Sequence, residues 1–317
     1  MLDTYRDGVC LAAVSCALPR PSVPVRAFLD LHGLAPAQAR TYERFYGFSQ
    51  VHVDPGQSLE ELMRQAAAGL DAVPDWRAQV RYVVAARTVQ LAAPYPANPL
   101  HAVRDALGLD RAVSFVVSQH ACASSLLAID VCARLLSAAG DPGGLALILA
   151  GEKSPTPSLR LVADSAVMGD GMAACLIRGS GTADRLIAYA TRSYSRYNDG
   201  PWLSPAIAKE FSQMYTKALA GVLSACARQA GIGLHDVALI LPHNVNRLSW
   251  MRFSKETGFP LGRIFLDNLA AMGHCFCADP FLNYAAAVSG ERLRAGDYYA
   301  MVSVGLGATF SAMIFRR

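Results

Sequence analysis

One pattern is written twice along this chain of 317 residues. Each copy runs as a loop, an apolar helix-forming run, a Gly-Asp turn, an apolar strand-forming run and a glycine. In the first copy these are Cys122, Ser124–Ala139, Gly140-Asp141, 145–150 and Gly151. In the second they are His274, 280–288, Gly296-Asp297, 298–304 and Gly305. Strands alternating with helices specify a mixed α/β fold. The doubling predicts two similar halves packed face to face, at 1–179 and 180–317, with Cys122 and His274 in equivalent loops.

The first loop is chemically the sharper one. Val113–Val117 is an apolar, β-branched run and reads as a buried strand. Cys122 follows it across a short turn, and the Ala- and Leu-rich helix run lies directly behind. A cysteine at a helix N-terminus sits in partial positive charge, which favours the nucleophilic thiolate. The plainer reading is a small core residue, so the rest of the chain has to decide between them.

Composition narrows the field. Hydrophobic residues make up 53% and charged residues 17%, which fits a globular chain with a large core. No window of 18 uninterrupted apolar residues occurs, and the first ten residues lack a leader pattern. The expectation is a cytoplasmic protein that does not span a membrane. The net charge of +4 comes without a basic cluster, which argues against nucleic acid. None of the eight cysteines forms a CxxC pair, and no zinc-type spacing is present. Reduced thiols and no metal are expected, with Cys275 and Cys277 as small packing residues.

The remaining elements fall between breakers. Strands are expected at 9–17, 80–87, 172–177, 186–194, 236–241 and 309–315. Short surface helices are expected at 24–31 and 36–46, and longer ones at 58–72, 99–108, 207–231 and 246–258. Ser58 and Glu61 read as a capping box. A Pro-rich loop is expected at 91–99, a turn at 168–171, and a helical or loop segment at 262–271. Asp279-Pro280 reads as an N-cap followed by proline at the first helical position.

Cys122, His243 and His274 now converge. His243 follows the end of a buried strand, and the other two precede helices. Strand C-terminal ends and helix N-termini are where α/β folds place active groups. A thiolate with two imidazoles suits acyl transfer through a thioester, with backbone amides holding the tetrahedral oxygen. The N–H groups of Cys122 and Leu306 are the candidate oxyanion donors.

Four blocks carry a family resemblance. They are Ala121-Cys122-Ala123, Met168-Gly169-Asp170-Gly171-Met172-Ala173-Ala174, Leu241-Pro242-His243-Asn244-Val245-Asn246 and Val304-Gly305-Leu306-Gly307-Ala308-Thr309. In order and spacing they resemble the signature blocks of β-ketoacyl-ACP synthase III. The resemblance implies the thiolase fold, two duplicated halves in a five-layer αβαβα arrangement, in a homodimer. It implies Cys122 as acyl carrier and His243 as a catalytic histidine, with no bound cofactor. The substrate would be an acyl thioester of CoA or of carrier-protein phosphopantetheine.

Two departures matter. Gly273-His274 stands where the family carries an asparagine, as in elongating ketosynthases and thiolases. Tyr46-Gly47-Phe48-Ser49-Gln50-Val51-His52 lacks the arginines that help hold CoA, which favours a carrier-protein thioester or an unusual donor. The leading expectation is decarboxylative condensation with a malonyl-type extender. The alternative is transfer of the acyl group to an alcohol or amine of a small molecule, and a third is a non-catalytic partner subunit. His120 and Trp202 are possible pocket residues, against a satisfied loop histidine and a core or dimer contact. Arg247, Arg252 and Lys255 are either a solvated helix face or a docking site for an acidic acyl carrier.

Overall fold

Leu145–Glu152 is buried along its whole length, as an apolar strand must be when helices cover both faces of its sheet. The computed structural model describes residue 5 and residues 8–90, 93–162 and 164–317. Most of the N-terminal stretch read for a leader pattern, and Leu91 and Ala92 of the Pro-rich loop, lie outside the described residues.

The strands of the main sheet are β1 (Cys10–Ala17), β2 (Val80–Ala86), β3 (Val113–Val117), β4 (Leu145–Glu152) and β5 (Gly171–Arg178) in the first half. The second half supplies β6 (Arg185–Ser193), β7 (Val237–Pro242), β8 (Tyr298–Gly305) and β9 (Thr309–Arg316). The first half is ordered β3-β2-β4-β5-β1, with β2 parallel to both neighbours and β5 antiparallel to both of its own. The second is ordered β7-β8-β9-β6, again with a parallel pair followed by an antiparallel strand. A single parallel bridge, Ile240 to Ile264, stands where a counterpart of β3 would lie. The half-sheets join at the pair Cys10–Arg185.

Helices fill three layers around the half-sheets. The helices α1 (Leu59–Ala68) and α2 (Pro99–Ala106) cover the outside of the first half, through Leu62, Met63, Leu100 and Val103. The central layer is α3 (Ser124–Ala139), carrying Leu126, Ile129 and Leu136, and a second helix, Asp279–Ser289, carrying Phe281 and Ala287. The second half is covered by α4 (Pro205–Gln229) and α5 (Arg247–Thr257), through Leu219, Leu223, Trp250 and Phe253. With the Asp279–Ser289 helix as α6, the order is αβαβα. The stretch Ala121–Ala139 is long and apolar enough to cross a membrane by composition, but 61% of its most apolar window is buried inside the protein. It is a core helix.

Local signals set most element ends. Ser58 accepts a hydrogen bond from the Glu61 N–H at 3.1 Å, and Asn246 caps α5 by accepting from the Ser249 N–H at 2.7 Å, each satisfying an orphan donor of the first turn. The segment at 262–271 resolves into a turn and a short helix, Asp267–Met272.

Two expectations need correction. β3 is an edge strand, not a buried one, and leaves Val113 60% and Val116 48% exposed. An apolar run shows burial potential but not whether a second strand lies beside it. The stretches at 24–31 and 36–46 form the helices Val25–Leu31 and Pro36–Thr41 and a wide turn, Tyr42–Tyr46. They are more than surface features. Phe28, Leu29, Ala39 and Tyr42 pack into one cluster with Cys122, Leu269 and Phe276, roofing the loops of the candidate site.

Gly305, at the end of β8, touches the turn that carries Cys122. A Cβ there would lie 1.8 Å from the His120 carbonyl oxygen. Gly305→Ala is expected to push the two turns apart at a cost of about 1–3 kcal/mol. A lowered melting temperature with slower alkylation of Cys122 by iodoacetamide checks it; an unchanged melt refutes it.

Candidate active site

Cys122, His243 and His274 come together in the interior, with only 4%, 1% and 4% of their surfaces exposed. Cys122 lies in the one-turn 3-10 segment Ala121–Ala123, ahead of α3. Ala121 takes a left-handed φ of 46°, which turns the chain sharply from β3 toward the helix. No side chain caps α3, so its first N–H groups stay available beside the thiol. Thr88, just past β2, donates to Cys122 Sγ at 3.3 Å.

His243 and His274 face each other with ring centroids 6.0 Å apart, but their surroundings are opposite. His274 Nδ1 bonds the carboxylate of Asp279. The same carboxylate accepts from the Cys275 N–H at 2.7 Å and from the Asn244 N–H at 2.5 Å. Burial pulls the His274 pKa down, but the charges of Asp279 and Cys122 and its hydrogen bonds to both outweigh this and carry it up to about 10. His274 is therefore an imidazolium between the Asp279 carboxylate and the Cys122 sulfur. Among the described residues, no carboxylate bonds His243. Burial and then the neighbouring His274 push its pKa down to about 3, so its ring is neutral.

Both loops are clamped from behind. The His243 N–H bonds the Val302 carbonyl at 2.9 Å, and Trp250 Nε1 donates to the His243 carbonyl at 3.1 Å. Asn283, one turn after Asp279 on α6, donates to Pro242 O at 2.8 Å and Asn244 Oδ1 at 2.9 Å. The stretch at 168–171 is more than a surface turn. Met168 bridges His274, and the Gly169 N–H bonds the His274 carbonyl at 3.0 Å. Asp170 is fully buried and paired with Arg160. A Cβ on Gly171 would come within 2.8 Å of Cys275 Cβ, so the block is small because the His274 loop presses on it.

The Asp-Pro pair predicts Asp279 as the N-cap of α6. It is instead the first helical residue, after Ala278, and its carboxylate serves His274. Asp279, Thr88 and Tyr215 are the site residues that the sequence reading missed. Tyr215 OH lies 3.0 Å from His243 Nε2. Asp279 carried a signal, an acidic residue five positions after a candidate histidine. Tyr215 lies in the middle of a long amphipathic helix and carried none.

The other candidate residues divide. A cavity of about 570 Å³ opens beside the site and is lined in part by Tyr215, Asn246, Arg252 and Leu306. Trp202 is 79% exposed and is not part of its wall; the three-residue turn that carries it presents the ring outward. His120 does not line the cavity either. Its carbonyl packs on Gly305, and burial lowers its pKa. Arg247, Arg252 and Lys255 are exposed on α5, without acidic partners among the described residues. Cys277 packs under the site, donating to Ala121 O at 3.2 Å, and Cys275 is fully buried.

The chain is similar to known proteins in sequence and in fold. Residues 227–317 match the family model described as 3-oxoacyl-[acyl-carrier-protein (ACP)] synthase III C terminal. A β-ketoacyl-[acyl-carrier-protein] synthase III of Lactobacillus delbrueckii subsp. bulgaricus is 24% identical over 288 residues, 85% of this chain and 88% of the relative. Among solved structures, the acyltransferase ChlB3 superposes with a TM-score of 0.84 at 18% identity, covering 97% of each chain. The 3-oxoacyl-[acyl-carrier-protein] synthase III of Aquifex aeolicus does so with a TM-score of 0.80 at 15% identity, covering 98% of this chain and all of that one. The fold is the thiolase fold.

The raised pKa of His274 has a definite sign. Its charged form adds stability that is fully present below the unfolded value of about 6.5. That stability is lost as pH rises through about 10. In Asp279→Asn, urea unfolding between pH 6 and 10 should show a shallower alkaline loss than wild type. Alkylation of Cys122 at pH 7 should slow about tenfold. Equal pH slopes in the two proteins would refute the assignment.

Proposed function

We propose that this chain, a β-ketoacyl-ACP synthase III-like acyltransferase of the thiolase superfamily, moves an acyl group from a thioester onto Cys122 and from there to an oxygen or nitrogen of an acceptor. The observation that carries the reading is the Cys122–His274–Asp279 line, a cysteine sulfur next to an imidazolium that a buried carboxylate supports. In the first half-reaction the Cys122 thiolate attacks the donor carbonyl. The donor C–S bond breaks, and the leaving thiolate takes the proton of His274. In the second, the acceptor attacks the S-acyl carbonyl and gives its proton to His274, now neutral. Cys122 leaves as thiolate and the ion pair is restored. Backbone N–H groups of Cys122 and Leu306 are the proposed oxyanion donors. His243, kept neutral, offers the second substrate a hydrogen bond without a charge.

Decarboxylative condensation is the second reading. Two imidazoles 6.0 Å apart favour it, since a pair of donors can hold the enolate left by loss of CO2. So do the relatives named as synthases. The acyl-carrier-protein in those names supports a carrier or CoA thioester as donor. Arg252, which lines the cavity, together with Arg247 and Lys255 exposed on the same helix, is the proposed contact for an acidic carrier. The exposed edge of β3 is the proposed homodimer surface, where a second copy would continue the sheet.

Incubation with an acyl thioester should give a protein heavier by one acyl group, and none in Cys122→Ala. Release to an ester or amide with a small alcohol or amine supports acyl transfer to a heteroatom. Strict dependence on a malonyl thioester, with CO2 evolved, selects condensation. An unmodified wild-type protein would count against both and favour a non-catalytic subunit. For the dimer, Val116→Lys should convert a two-copy species to one copy in sedimentation. No change in mass would remove β3 from the interface.

A further inference from the structure

The fold sets a second cysteine against Cys122. Cys122 is the middle residue of the 3-10 turn Ala121–Ala123 ahead of α3. Cys277 is the middle residue of the 3-10 turn Phe276–Ala278 ahead of α6. Each turn opens on a left-handed residue, Ala121 at φ 46° and Phe276 at φ 55°. The repeat therefore gives the nucleophile a counterpart just beyond His274, and the two turns meet in the middle of the molecule. One hydroxyl lies between the two sulfurs. Thr88 Oγ1 is 3.3 Å from Cys122 Sγ and 3.6 Å from Cys277 Sγ. Cys277 Sγ also donates to the carbonyl of Ala121, the residue before Cys122, at 3.2 Å. Cys275 points elsewhere, its thiol on the carbonyls of Asp170 at 3.8 Å and Met272 at 3.6 Å.

The paired sulfurs are chemically unequal. Cys122 has the His274 imidazolium beside it. Cys277 is fully buried, and burial, then the charge of Cys122, raises its pKa, so it keeps its proton. The thiolate is the form that attacks an oxidant. Oxidation therefore starts at Cys122, and Cys277 is the second thiol held against the product.

Taking Cys122 as the reactive thiolate of the reading above, we propose that Cys277 is its resolving thiol: when a hydroperoxide oxidises Cys122, Cys277 closes onto it in a disulfide that protects the nucleophile and stops acyl transfer until a reducing thiol reopens it. With hydrogen peroxide, the Cys122 thiolate attacks one oxygen and the O–O bond breaks. The departing hydroxide takes the His274 proton and leaves as water. Cys122 is then an uncharged sulfenic acid, which removes a charge that had held the Cys277 proton in place. The Cys277 sulfur attacks the Cys122 sulfur, the S–O bond breaks, and the hydroxyl leaves as water with the Cys277 proton. Two electrons leave the sulfur pair and reduce both peroxide oxygens to water. The sulfurs close to about 2 Å as Cys277 turns from Thr88 and the Ala121 carbonyl toward Cys122.

Hydrogen peroxide added to the fully reduced chain should lower its mass by two hydrogens and withdraw two of its eight thiols from iodoacetamide. Non-reducing peptide mapping should join Cys122 to Cys277. Acylation by an acyl N-acetylcysteamine thioester should be lost as the link forms and return with dithiothreitol. In Cys277→Ser and Cys277→Ala, the same peroxide should add oxygen to Cys122 as far as the sulfinic acid, and dithiothreitol should not restore acylation. A wild-type protein that gains oxygen at Cys122 while Cys277 stays open to alkylation overturns the proposal. So does one that joins Cys122 to a different cysteine or keeps all its thiols. The mapping is done on wild type and needs no variant to fold. Failure of the reduced wild type to acylate would instead sink the acyl-transfer reading, and the mapping would still decide the link.

Discussion

The Asp279 carboxylate holds this site together. Its two oxygens take His274 Nδ1 and the backbone N–H groups of Cys275 and Asn244. These donors come from the loops that carry the two histidines, one following β7 and one preceding α6. One buried charge thus sets the distance between the rings and decides which of them is protonated. A fully buried carboxylate is costly without partners, and here it has three. Asn283 on the next turn of α6 ties the same loop after β7 by two more bonds. The first turn of α6 acts as a rigid bracket across the second half.

The consequence is an electrostatic division between two side chains of one type. His274 is charged because its negative neighbours outweigh burial, and His243 is neutral because burial and a charged neighbour act in one direction. The paired arrangement lets one imidazole exchange protons while the other only donates a hydrogen bond. Neither role is intrinsic to histidine; each is set by what lies within a few ångströms of the ring.

Much of this was legible in the sequence where the signal is local. The run after Cys122 folds as the helix its composition demands, and the strands preceding Cys122 and His243 end close to where their apolar runs end. The duplicated pattern reappears as a repeated strand order. What stayed hidden depends on partners distant in the chain. Tyr215 looks like any residue of an amphipathic helix until α4 is laid against β6 and β9. Val113 and Val116 look like core until β3 proves to have a neighbour on one side only. Asp279 was seen, but as a cap, because Asp-Pro before an apolar run is a strong helix start. Its use as a histidine partner depends on the left-handed turn at Phe276, φ 55°, which no local pattern announced.

The repeat is imperfect at one place. On the first half the outermost strand is complete and presents apolar side chains outward. On the second the matching position is reduced to a single bridge at Ile264, and the Arg263 guanidinium takes the carbonyls of His235, Val237 and Ala238 along that border. Phe265 N–H takes the carbonyl of Ile240. The sheet therefore has one border able to template further strands and one that is chemically plugged. Copies that join through the open border use it up in joining, and the plugged borders face outward. A molecule that paired in this way would keep, among the described residues, no second open border from which a fibre could grow.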